Sequence, residues 1–256
     1  MAAKFWIRVG HRGAPKEFPA NTMLSFGRAR QLGCEMVECD IRRSLDGALV
    51  LAHDPRVVDI TGKQWEIAAT HSEVLHALNL GAGEGVPFLS ELVAWAAKAP
   101  CAIMADMKCE GDGVEELVAR ALAPLPPAIK LVPGAGAESR ARFRSADPQL
   151  PLSLSLGAEE GEELLLNFEL VGLLDHIDTE AVTWQYPLLN ERTISALKSR
   201  GLTVYAWTVD DMTIAARLVE MGVDGVISNR SDLLVNVVVE EKVEDEEDET
   251  LPPFLR

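Results

Sequence analysis

Residues 5–41 read FWIRVGHRGAPKEFPANTMLSFGRARQLGCEMVECDI, and this stretch decides the fold. Phe5 to Val9 is a mostly apolar run that reads as a strand ending at Gly10. Asn21 or Thr22 can cap a helix running to Gly33, with Leu24, Arg28 and Leu32 at helical spacing. Met36 to Ile41 is a second strand. Strand, helix and strand in so short a span make a parallel β/α unit. Both strands end in polar groups. His11-Arg12-Gly13 follows the first, and Glu38 and Asp40 stand two apart on the second. Residues two apart on a strand share a face, so both carboxylates aim into one space and Cys39 aims away. Two converging carboxylates are a natural seat for a hard divalent cation.

The pattern repeats along the chain. Asp46-Gly47 between extended segments signals a tight hairpin, which makes Leu49 to Ala52 antiparallel to the strand before it. His53-Asp54 follows directly, and the two imidazoles, His11 and His53, can serve as general base and general acid. Further strands are expected at Ala102–Ala105, Ile129–Val132, Leu152–Leu156, His176–Thr179, Val204–Thr208 and Gly225–Ser228. Helices are expected at Leu89–Ala97, Gly113–Ala123, Glu159–Phe168, Glu191–Arg200 and Met212–Met221. The fold class this predicts is α/β, a (β/α)8 TIM barrel over residues 1–239. Residues 54–85 form a small insertion after the second strand and its hairpin, expected over the barrel mouth. Active sites of such barrels lie at the C-terminal strand ends. His11, Arg12, Glu38, Asp40, Asp106, Lys108, Trp207 and Asn229 all fall at or just beyond such ends, and the hairpin returns His53 to the same region. His71, His76 and His176 are placed elsewhere and read as structural.

Composition narrows the function. The net charge is −16; residues 240–249 hold eight acidic residues and one lysine, so they contribute −7 and the rest −9. Such a body is repelled by nucleic acid and by anionic membrane surfaces. The segment 240–256 is expected to be a disordered acidic tail. No run of 18 apolar residues provides a transmembrane segment, and the first nine residues lack the apolar core of a cleaved signal peptide. Cys34, Cys39, Cys101 and Cys109 lack zinc-like spacing and suit a reducing, cytoplasmic setting. The sequence leaves a homo-oligomer open.

The ordered blocks resemble the glycerophosphodiester phosphodiesterase family. Gly10-His11-Arg12-Gly13, Pro19-Ala20-Asn21-Thr22 with Phe26, Glu38-Cys39-Asp40, Asp46-Gly47 and His53-Asp54 carry the resemblance at the start of the chain. Val86 to Leu92, Ala105 to Lys108, Trp207-Thr208-Val209-Asp210 and Gly222 to Ile227 carry it further on. The family usually has Glu at the positions of Ala20 and Asp106, and an Asp near Asn229. The resemblance implies a phosphodiesterase that cleaves glycerophosphodiesters to sn-glycerol 3-phosphate and an alcohol. It implies a divalent cation, Mg²⁺ or Ca²⁺, on Glu38, Asp40 and Asp106, with His11 and His53 as the catalytic pair. Arg12 and Lys108 would bind the phosphate, and Trp207 would present a flat wall to the glycerol or alcohol. Two alternatives compete: a phospholipase D-like enzyme acting on lysophospholipids, and a non-catalytic barrel. An apolar rim on the insertion, with Trp65 and Ile67 as its bulky residues, would favour the first.

Overall fold

The computed structural model describes residues 5–157 and 178–239. Eight parallel strands form the barrel: β1 (Ile7–His11), β2 (Met36–Arg43), β6 (Ala102–Met107), β7 (Lys130–Leu131), β8 (Ser153–Leu156), β9 (Ala181–Gln185), β10 (Thr203–Trp207) and β11 (Gly225–Ser228). They are hydrogen-bonded in the order β7-β6-β2-β1-β11-β10-β9-β8. The two ends of that path meet through a parallel bridge between Val132 and Leu152, which nearly closes the sheet on itself. The expected hairpin forms: β3 (Leu49–Leu51) pairs antiparallel with β2, Ile41 opposite Leu51 and Arg43 opposite Leu49.

Alternation along each strand separates two cores. Outward residues pack under the helices. α1 (Met23–Leu32), α3 (Leu89–Ala96), α4 (Val114–Leu122) and α5 (Ala137–Ala146) cover one half, over buried Phe26, Val37, Leu92, Ile103 and Val118. α6 (Glu191–Lys198) and α7 (Met212–Met221) cover the other half, over Trp184, Ile194, Val204 and Leu218. Inward residues Val9, Met36, Met104, Leu131, Tyr205 and Ile227 fill the barrel as an apolar floor. Gly225 belongs to this packing: a Cβ there would lie 2.5 Å from the Tyr205 ring. The next inward residues towards the C-terminal ends are His11, Glu38, Asp40 and Asp106. Register sets them side by side, His11 opposite Glu38 and Asp40 opposite Asp106.

Two expectations change. The sixth parallel strand is Ala181–Gln185, later than the expected His176–Thr179, of which only Asp178 and Thr179 are described; Val182, Thr183 and Trp184 supply its β-branched and aromatic content, whereas Asp178 and Glu180 are ion-pair partners of Arg144. His176 and the expected helix Glu159–Phe168 lie outside the described residues, as does the acidic tail. Helix α5 had no counterpart in the sequence reading. Its stretch carries three arginines and buries only Ser139 and Phe143, so no apolar stripe announces it.

The insertion is more ordered in secondary structure than its pattern suggests. It holds a two-stranded hairpin, β4 (Arg56–Val58) with β5 (Gln64–Glu66), and the short helix α2 (Ser72–His76). Ile67, Leu75 and Val86 pack with Val50 and Ala52 into a small separate core beside β3. Asp46 in the hairpin turn ties it down, accepting from Ser44 Oγ and from Ser72 N and Oγ at 2.7–2.9 Å.

Helices α4 and α5 are joined by a buried ion pair. Glu115, fully buried, accepts from Arg142 Nε at 2.9 Å and from the Gly111 N–H at 3.0 Å. Burial pushes the Glu115 pKa up, but the bonds from Arg142 and Gly111 outweigh it and hold the pKa at about 2. A carboxyl with a depressed folded-state pKa stabilises the fold above its ordinary value of 4.5 and loses that contribution as pH falls towards 2. Glu115→Gln is expected to lower the melting temperature at pH 7 by a few degrees, since the buried side chain loses its charge-assisted bond from Arg142. It should also flatten the loss of stability between about pH 4.5 and pH 2 in an acid titration followed by circular dichroism. Equal melting temperatures at pH 7 would show that the pair contributes nothing.

Candidate active site

The C-terminal ends of the strands bring the predicted residues together. Glu38 is 3% exposed and Asp40 0%; one carboxylate oxygen from each of Glu38, Asp40 and Asp106 lies within 4.8 Å of the others. The surroundings are arranged to hold them. The Arg12 N–H donates to Glu38 Oε2 at 2.9 Å. Asn21 grips Asp40 twice, donating from Nδ2 to Asp40 Oδ2 at 2.8 Å and accepting the Asp40 N–H at 3.1 Å. Arg12 Nε lies 3.1 Å from Asp40 Oδ2. Lys108 Nζ bridges Asp106 Oδ2 at 2.6 Å and Asp40 Oδ1 at 3.3 Å.

Two cations thus face three carboxylates in a site largely closed to water. Burial, then Asp40, then Asp106 push the pKa of Glu38 well up. Burial also raises that of Asp106 against the opposing charge of Lys108. Asp40 Oδ1 is buried without a hydrogen bond. An all-oxygen set with surplus negative charge and a buried lone pair to spare fits a hard divalent cation.

The loop after β1 is folded tightly to deliver these contacts. Arg12 and Asn21 both adopt left-handed backbone, φ 57° and 60°, and the Asn21 N–H donates to Arg12 O at 3.1 Å. Such strain in non-glycine residues collects at functional sites. The sequence offers Asn21 or Thr22 as the helix cap. Thr22 is the cap, accepting from Ser25 N at 3.3 Å, and Asn21 is a holder of Asp40. Its tolerance of left-handed backbone was the only local signal.

His11 and His53 stand differently. His11 is mostly shielded from solvent, its Nδ1 2.7 Å from Asn229 Oδ1 and its Nε2 3.8 Å from Glu38 Oε2. Asn229 is itself oriented by Asp210, which accepts from the Asn229 Nδ2 at 2.9 Å and from its N–H at 2.8 Å, and from Ser228 Oγ at 2.9 Å. With Nδ2 turned to Asp210, Asn229 presents only an acceptor to His11. The His11 proton is therefore on Nδ1 and a lone pair on Nε2. Burial, then the neighbouring Arg12, lower the His11 pKa to about 4, so the ring is neutral at pH 7. Asp210 was quoted in the sequence only as part of a motif. His53 is more exposed, at 41% of its side chain. Its Nδ1 meets Asp54 Oδ1 at 2.8 Å and its carbonyl accepts from Arg42 Nε at 2.8 Å.

These groups open on a cavity of about 620 Å³. His11, Arg12, Glu38, His53, Asp106 and Lys108 line one side, with Asp40 fully buried behind them. Trp207 lines it too, its indole fixed by donation from Nε1 to Thr183 O at 3.0 Å. No residue of 54–85 is among the lining. Ile67 is buried, and Trp65 is half-buried with Nε1 donating to Asp59.

The model of the glycerophosphoryl diester phosphodiesterase family matches residues 11–233. The chain belongs to that family. It is an enzyme of the phosphodiesterase class, on a barrel that its solved relatives share. A glycerophosphodiester phosphodiesterase of Caldanaerobacter subterraneus is 25% identical over 243 residues, covering 90% of this chain and 96% of that protein. One from Bacillus subtilis is 26% identical, covering 90% and 86%. Among solved structures, an Oleispira antarctica phosphodiesterase in complex with the product sn-glycerol-3-phosphate superposes with a TM-score of 0.75 at 22% identity, covering 90% of this chain and 96% of that one.

Gly134 gives the site a steric test. Its φ is +75°, and a Cβ there would fall 1.9 Å from Asp106 Oδ1. Gly201, at φ +76°, has nothing within 4 Å. Each Gly→Ala change meets the same left-handed penalty of roughly 1–2 kcal/mol, but only Gly134→Ala displaces Asp106. Phosphodiesterase kcat/KM is expected to fall at least about 10-fold in Gly134→Ala and to stay within about 2-fold in Gly201→Ala, while both lose similar melting temperature. Equal activities in the two variants would detach Asp106 from catalysis.

Proposed function

We propose that the enzyme hydrolyses glycerophosphodiesters to sn-glycerol 3-phosphate and an alcohol. The observation that carries this reading is the convergence of three carboxylates, two of them buried, with two cations and two histidines on one cavity. Glu38, Asp40 and Asp106 would hold a divalent cation, Mg²⁺ or Ca²⁺. When bound, it would neutralise charge building on the phosphoryl oxygens.

The chain's own residues divide the remaining work. Lys108 and Arg12 place positive charge beside the non-bridging oxygens and orient the diester. Trp207 packs against the glycerol carbons and keeps water from that side. His11, neutral and with Nε2 free to accept, takes the proton of the attacking hydroxyl, whether water or the glycerol hydroxyl of the substrate. Asn229 and Asp210 hold its ring in that tautomer. His53, whose Nδ1–H faces Asp54, donates from Nε2 to the leaving oxygen. The four cysteines are free and three are buried, which supports a cytoplasmic enzyme. The lysophospholipid alternative is less well supported, because Ile67 is buried, Trp65 is half-buried, and no residue of the insertion lines the cavity.

The test is hydrolysis of a glycerophosphodiester followed by release of sn-glycerol 3-phosphate. Activity should vanish on chelation and return with Mg²⁺ or Ca²⁺. His11→Ala and His53→Ala should each lower kcat by about 10²- to 10⁴-fold with the fold retained. Near-native kcat in either variant would remove that histidine from the mechanism, and release of the head-group alcohol and lysophosphatidic acid only from lysophospholipids would favour the alternative.

A further inference from the structure

The cavity has a second charged wall that the reaction above does not use. Past β7, the segment Pro133–Gly136 leads into α5, and two side chains grip it. The Gly136 N–H donates to Glu110 Oε1 at 2.5 Å, and Arg140 donates from a terminal nitrogen to Ala135 O at 2.7 Å. Glu110 and Arg140 both line the cavity.

The three arginines of α5 are not equivalent. Arg142 is paired with Glu115 at 2.8 Å, and Arg144 with Asp178 and Glu180 at 2.8 and 2.7 Å. Those two hold the scaffold together. Arg140, among the described residues, makes no ion pair within 4 Å, and the one hydrogen bond of its side chain is to a neutral carbonyl. A guanidinium carries five N–H donors, so most of its fork remains available. It is half-buried, and burial lowers its pKa while Glu110 opposes that shift; the group stays charged at pH 7. The carboxylates across the cavity are not its counter-charges, since Arg12 and Lys108 already hold Asp40 and Asp106. A partly desolvated arginine that faces a cavity and makes no close ion pair is an anion-recognition element. The cavity, at about 620 Å³, lies within the 300–1,000 Å³ range of small-molecule sites. That leaves room for an alcohol moiety beyond the phosphate.

We propose that Arg140 determines specificity by reading an anionic group on the alcohol moiety of the substrate, a carboxylate or a phosphate, with Glu110 beside it to accept an ammonium. The preferred diesters are then those whose alcohol carries negative charge, such as a serine head group, over ethanolamine, choline or glycerol. This rests on the glycerophosphodiesterase reading, and it is tested separately from it.

The experiment measures equilibrium binding to the turnover-deficient His53→Ala enzyme, and kcat/KM for the wild type, each with and without Arg140→Gln and Arg140→Lys. The probes are glycerophosphoserine, a glycerophosphodiester whose alcohol bears a phosphate monoester, and glycerophosphoethanolamine as reference. The expected result is a preference for an anionic probe over ethanolamine. Arg140→Gln should reduce that ratio about 10- to 100-fold, the size of a charge-assisted hydrogen bond of roughly 1.5–3 kcal/mol, and Arg140→Lys should restore part of it. Whichever anionic probe shows the larger change names the group that is read. An equal loss on all probes would put Arg140 on the shared phosphate, and an unchanged ratio would leave it structural; either result overturns the proposal. Absence of turnover on every diester would instead sink the reading of function, while the binding ratios still decide the role of Arg140.

Discussion

Everything at the top of this barrel answers to one constraint, three carboxylates placed within 4.8 Å of one another in a largely buried site. Two unit charges about 4 Å apart interact by about 4 kcal/mol at an effective dielectric near 20. Three such groups therefore oppose folding unless their charge is compensated. Arg12 and Lys108 compensate part of it, and Asn21 and the Arg12 N–H add hydrogen bonds. One negative charge remains. The left-handed backbone at Arg12 and Asn21 and the glycine at position 134 follow from the need to reach these groups closely.

The barrel produces the cluster by alternation and register rather than by any special loop. Val9, Met36, Met104 and Ile227 fill the interior, and the next inward positions on β1, β2 and β6 become polar. The apolar floor excludes water from below and makes the charges above it expensive, which is also what makes them responsive to a ligand. The same floor shields His11 and keeps it neutral, with Asn229 and Asp210 fixing the proton on its outer nitrogen.

The barrel was legible where strand and helix patterns were strong. Phe5 to Ile41 already shows a β/α unit, and Glu38 with Asp40 already shows a shared face. The sequence was silent where side chains act at a distance. Tolerance of left-handed backbone is the one local sign of Asn21's role, because it holds Asp40 from a loop nineteen residues away in sequence. Asp210 acts on His11 only through Asn229. Helix α5 escaped because arginines anchor it instead of an apolar stripe. The sixth strand was misplaced by a few residues because the segment before it is rich in charged groups that pair with Arg144.

Thermal unfolding of chelated enzyme, titrated with Mg²⁺ or Ca²⁺ and compared with Glu38→Gln, tests the account most directly. Glu38→Gln keeps an acceptor for the Arg12 N–H and removes one of the crowded charges. The account predicts that saturating cation raises the wild-type melting temperature by roughly 5–10 °C, from a binding contribution of about 2.7 kcal/mol at 100 times Kd. It also predicts that chelated Glu38→Gln melts above chelated wild type and gains little from cation. A wild type indifferent to both cations, with a Glu38→Gln variant no more stable than it, would contradict the claim that these carboxylates form a strained cation site.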